Sequence, residues 1–327
     1  VNISVTGGTV KNIFAAGRGN DGAVTDTHNG GSLLDSEKFG SLTGKANIMV
    51  GGEAVISGNI YASGEGAEPG EKKYTTTNNA YLDGQATITI GGNAHILGGV
   101  YGGGQGIAKT EYAECARVTK SSTVEVQITG GTVEGNVYGG GRIAKMEGNT
   151  SVSMSGGVVK GKIYGGGENG LVEGRTTVNL SSGTVEKDLY GGAYGKTGER
   201  LVLGGSVVNM TGGWVKGNLY GGSELSNDGP EKVEDAAADD LVFVNLVGGT
   251  VDGRVFGGGF SGVANGSTHL HIGKDALAEC KYYQAHEDEM PKLTAFPLSI
   301  VGSVYAGGDY GGEGVLDYNK ITVTGTS

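Results

Sequence analysis

The polar and apolar positions of this chain repeat one short theme. Its plainest copy, TSVSMSGGVVKGKIYGGGENGLVEGR at 150–175, holds an alternating stretch (SVSMS), a Gly-Gly bend, VVK, a Gly corner, then KIY. Alternation with β-branched residues and Gly punctuation predicts strands. No window carries a competing helical period. The KIYGGG hexamer has close copies at NIFAAG 12–17, NIYASG 59–64, GVYGGG 99–104, NVYGGG 136–141, DLYGGA 188–193, NLYGGS 218–223, RVFGGG 254–259 and SVYAGG 303–308.

The recurring ring falls at Phe14, Tyr61, Tyr101, Tyr138, Tyr164, Tyr190, Tyr220, Phe256 and Tyr305, so the spacing shrinks to 26 residues and grows elsewhere by insertion. A repeat of 20–30 residues built from short strands predicts a parallel β-solenoid, each coil pairing with the next. Left-handed hexapeptide helices use a shorter coil, so the predicted fold is all-β and right-handed. It forms a single domain over 1–327, about nine coils stacked at ~4.8 Å and about 45 Å long.

Stacking requires like to lie on like. The residue before each ring is aliphatic throughout, from Ile13 to Val304, which predicts a core column. Alternation then turns the rings to the other face, predicting an outward or corner ladder of stacked aromatics over glycine backbone. In the short strand, Glu134, Lys160, Glu186, Lys216 and Asp252 alternate in sign through successive coils, as stacked charges must to avoid repulsion. The long strand offers two outward columns. One runs Ser4, Met49, Thr89, Gln127, Ser153, Asn179, Asn209, Asn245, His271; its neighbour runs Asn2, Asn47, Thr87, Glu125, Ser151, Thr177, Val207, Phe243, His269. Glu125 is their one acid and neither holds Lys or Arg. Such amide and hydroxyl ladders suit hydrogen bonding along the stack better than acid–base work.

Composition narrows the classes. Of 327 residues 68 are Gly, about three times the ordinary share, without a G-x-y period, so collagen is excluded. A net charge of −11 with 18% charged residues argues against a nucleic-acid partner and against attachment to anionic lipid. No apolar run reaches the ~18–20 residues that would insert in a bilayer. Cys115 and Cys280 lie five or six coils apart, too far for a disulfide, and are expected as free thiols. The chain starts and stops within strand patterns, as a segment cut from a longer protein would.

Insertions cluster between the Gly triplet and the next long strand: Arg18–Lys45, Glu65–Gln85, Gln105–Ser122, Ala193–Ser206 and Glu224–Asp240. They should share one edge of the solenoid, while Asp275–Pro297 enters at another corner. Insertions on one side of a rigid scaffold commonly carry binding. Tyr74, Tyr81, Tyr112 and Tyr194 lie in them and are the candidate ligand contacts. The VYGGG coils and Gly-Gly-Thr-Val bends resemble repeat regions of large bacterial cell-surface and adhesin-like β-helix proteins. That resemblance covers nearly the whole chain and implies an extracellular or cell-wall-attached role, with a host or matrix glycan or protein as partner. It transfers no functional residue.

The rival reading is a carbohydrate-active β-helix enzyme, a polysaccharide lyase or glycoside hydrolase. It needs two carboxylates in one cleft, drawn from Asp21, Asp26, Asp35, Glu65, Glu68 and Asp83. No cofactor is expected. His269 and His271, about 7 Å apart on one strand face, are a candidate Zn²⁺ pair if His286 or an acid supplies a third ligand; otherwise they are two solvated histidines. GGDYGGEGVLD at 307–317 is similar to Ca²⁺-binding turns but occurs once.

Overall fold

A computed structural model describes residues 1–19, 25–26, 32–33, 40–67, 79–108, 114–230, 242–291, 297–309 and 319–324. The chain is a right-handed parallel β-helix. Its long strands form one parallel sheet in sequence order: Asn2–Val5, Leu42–Val50, Leu82–Ile90, Thr123–Val133, Thr150–Val159, Thr176–Val185, Ser206–Val215, Val242–Val251, Thr268–Gly273 and Asn319–Thr324. A second sheet stacks nine two-residue strands, each an aliphatic residue followed by an aromatic one, from Ile13–Phe14 to Val304–Tyr305.

Register follows residue type coil after coil. Val152 pairs with Val126 and Val178, and Met154 with Ile128 and Leu180. These inward positions join the aliphatic column of the second sheet in one core running from Ile13 to Leu270. Burying such side chains stabilises by about 1.5–3 kcal/mol each, and every coil adds several. The Gly-Gly bend does not end the long strand. Thr150–Val159 continues through Gly156 and Gly157 with a register shift, which turns the wall without breaking it. The third side is a row of single bridges, Leu82 to Val118, Met146, Val172 and Val202, so segments expected as plain turns and loops also supply core.

The expected charge alternation is present as pairs. Lys160 Nζ lies 2.8 Å from Glu134, which also meets His95 at 2.7 Å, and Lys216 Nζ lies 2.7 Å from Glu186. Both cysteines are buried, and neither forms a disulfide.

The aromatic ladder is stacked as expected, with neighbouring rings 4.6–5.1 Å apart and within 12° of parallel. It is not an outward strip. The rings from Tyr61 to Phe256 are at most 6% exposed; of the end rings, Phe14 is partly buried and Tyr305 is exposed. Residues that follow several of the Gly-rich hexamers fold back over them. Tyr101 donates to Glu168 at 2.6 Å, Tyr164 donates to Glu224, and Tyr220 donates to Asp309 at 3.1 Å. Each carboxylate belongs to the second coil further on. Tyr194 and Phe260 lie against Tyr164 and Tyr220. Burial and the adjoining carboxylates hold the Tyr101 and Tyr164 phenols far above their ordinary pKa, so both stay protonated donors.

Candidate functional site

The outward columns of the long strands stack in the expected register. Their amides bond along the stack: Asn209 donates to Asn179 at 2.7 Å, and Asn245 donates to Asn209 at 2.9 Å. His271 Nδ1 lies 3.0 Å from the Asn245 carbonyl oxygen. The C-terminal half of this face is not open, however. Val207, Phe243, Asn209, Asn245, His269 and His271 are all buried.

The cover is the described first part of the Asp275–Pro297 insertion, residues 275–291, and here the expectation of no helix fails. Two single-turn helices, Ala276–Glu279 and Lys281–Ala285, precede a 3₁₀ turn at Glu287–Glu289. Helices of four or five residues are too short to show a period, and neither has a side-chain cap. Packing holds them instead. Ala276, Leu277, Cys280, Tyr282 and Tyr283 form a second apolar cluster with Val207, Phe243 and Val247, and the Asn209 amide donates to the Tyr283 hydroxyl at 2.5 Å.

Where this cover stops, a cleft of about 470 Å³ opens on the exposed half of the face. Its floor is two stacked columns: Gln85, Thr123, Asn149 and Arg175, then Thr87, Glu125, Ser151 and Thr177. Tyr282, Tyr283 and Glu289 form its wall. The Glu125 carboxylate accepts from Gln127 Nε2 at 2.8 Å. Arg175, 7% exposed, lays its guanidinium 4.7 Å from the Tyr282 ring, and His286 stacks on that ring at 4.5 Å. The Tyr282 hydroxyl donates to Glu289. These contacts lock the wall and leave little open aromatic face. The site therefore offers fixed hydroxyls, amides and two carboxylates, an array suited to a polyhydroxylated ligand. A second cleft of about 270 Å³, floored by Ser153, Ser155, Ser181 and Thr211, adjoins it; Asn179 and Glu289 line both.

The candidate tyrosines are not brought together. Tyr81 lies half-buried with Arg117 5.7 Å from its ring, Tyr194 belongs to the ladder cover, and Tyr74 and Tyr112 fall outside the described residues. Of the candidate enzyme carboxylates, Glu65 pairs with Arg18 at 3.6 Å and Asp83 accepts from Thr119 and Ser121. Neither lines either of these two clefts. Asp21, Asp35 and Glu68, the Asp26 side chain and the turn from 310 to 317 lie outside the described residues.

His269 and His271 are not solvated: each is 4% exposed, and their ring centres are 6.1 Å apart. His269 stacks on Phe243 at 5.2 Å and His286 is bound to the Tyr282 carbonyl. Among the described residues no group of three or more His, Cys, Asp or Glu is placed to hold a metal. The whole column of Gln85, Thr123, Asn149 and Arg175, and the wall residues Tyr282, Tyr283 and Glu289, were missed by sequence reasoning. No protein-family model, curated protein or solved structure matches the chain.

Proposed function

We propose that the chain is a non-catalytic, glycan-binding segment of a bacterial cell-surface, adhesin-type β-helix protein, with the long-strand cleft as its binding site. One observation carries this reading. A rigid floor of stacked hydroxyls and amides meets a wall whose side chains are already fixed by one another. Preorganised donors and acceptors lower the ordering cost of binding. The net charge of −11 also favours extended contact with neutral ligands over polyanions.

The experiment is a glycan array run beside a reducing-sugar release assay. Binding without release, lost in Glu125→Ala or Arg175→Ala variants that keep their melting temperature, is the expected result. An array without binding sinks the reading.

A hydrolase is the second reading, favoured by Glu125 and Glu289 lining one cleft. Sugar release that disappears in both Glu125→Gln and Glu289→Gln would establish it in place of the first.

A further inference from the structure

We infer that the site takes a linear, neutral oligosaccharide that runs through both clefts and passes Glu289 midway, rather than a single sugar or a chain end. This inference rests on the glycan-binding reading and narrows its ligand class.

Three observations converge. The two clefts share Asn179 and Glu289, so they adjoin at the 3₁₀ turn of Glu287–Glu289 and together trace one path across the face. That path crosses the face obliquely, from the coil of Thr87 to the coil of Thr211, a span of four coil spacings or about 19 Å along the stack. A monosaccharide is too short for it. The coil rise of about 4.8 Å is also close to the length of one pyranose in an extended chain, so consecutive sugars meet equivalent rungs. The second cleft repeats the hydroxyl chemistry of the first in Ser155, Ser181 and Thr211.

Charge sets the class. Glu125 lies in the first cleft and Glu289 stands over both, whereas Arg175, the one cation among the described residues that line either, lies in the first and is stacked on Tyr282. Uronate or sulfated chains would bring like charge past Glu289. A neutral chain offers hydroxyl donors to both carboxylates and acceptors to the floor amides. Glu289, already bound by the Tyr282 hydroxyl, is fixed for that contact and acts as the specificity-determining residue at the junction.

The test titrates the intact chain by calorimetry with neutral linear gluco-, manno-, xylo- and galacto-configured series, from disaccharides to hexasaccharides. In the configuration that binds, affinity should rise about tenfold or more, about 1.4 kcal/mol, between the shortest and longest members. Ser155→Trp, at an exposed position lining the second cleft, should erase that gain, so that long members bind no better than short ones. Glu289→Gln should weaken long members more than short ones, and Glu289→Lys should admit uronate oligomers. Short members that bind with no gain in length, or a gain that survives Ser155→Trp, overturn this inference while the glycan reading stands. Absence of binding by every series overturns both. Melting temperatures of the variants separate lost contacts from lost fold.

Discussion

Asp228 accepts two hydrogen bonds from Ser223, one from its backbone N–H at 2.7 Å and one from its hydroxyl, at a position 2% exposed. Burial raises this carboxyl to about 7 from its ordinary 3.8, against the pull of both Ser223 donors and of Arg200. The folded chain therefore keeps a proton that the unfolded chain has lost. Its contribution is fully present below about pH 4 and fades as pH climbs to about 7, by up to ~4 kcal/mol. Between pH 5 and 7 urea midpoints should fall more steeply in the wild type than in Asp228→Asn. Equal slopes would show that the carboxyl titrates normally.

The Tyr101 hydroxyl and Glu168 form a tie that can be measured alone. Glu168→Ala strands a buried phenol and should cost about 1–3 kcal/mol. Adding Tyr101→Phe should recover part of that loss, giving a coupling of about 0.5–3 kcal/mol in a double-mutant cycle. Strict additivity would mean that the contact stabilises nothing.

Two glycines with similar backbones separate strain from crowding. Gly157 (φ +78°) and Gly198 (φ +85°) both occupy the left-handed region. An added Cβ at Gly198 meets nothing within 4 Å, while at Gly157 it would lie 2.7 Å from the backbone of Gly130 and Gly131. Gly198→Ala should cost about 1–2 kcal/mol from conformation alone. Gly157→Ala should cost clearly more, because neighbouring coils cannot move apart. Similar thermal shifts for the two would contradict so close an approach.

Cys280 reports on the helical cover. Its thiol is fully buried among Leu277, Tyr282 and Tyr283, and burial pushes its pKa up. Leu277→Ala, a loss of about 2–5 kcal/mol of packing, should loosen the cover and speed Cys280 labelling by a thiol reagent. Cys115, buried elsewhere, should keep its rate. Mass spectrometry distinguishes the two sites.

Register was legible in the sequence because each stacked column must hold compatible side chains, and the aliphatic run from Ile13 to Val304 meets that demand at every coil. Burial of the rings was not. Alternation places Tyr164 opposite the core but is silent about Glu224, sixty residues later, folding over it. Arg175 escaped notice because the outward columns were read from Thr177, two residues further on in the same alternation. The cover did leave a trace. Val207 and Phe243 interrupt an otherwise polar column, and apolar side chains turned outward need a lid, which ALAECKYY at 276–283 supplies. A four-residue helix offers no period by which to find it.

The carboxylates that reach across the ladder also bear on how the stack comes apart. Where each unit touches only the next, unravelling can proceed from an end one unit at a time. Here Glu168, Glu224 and Asp309 join end to end like links, each gripping a ring two courses away. Peeling a coil that carries one of these partners must also break a hold on a coil two courses in, so the stack from Tyr101 to Asp309 resists fraying in steps larger than one unit.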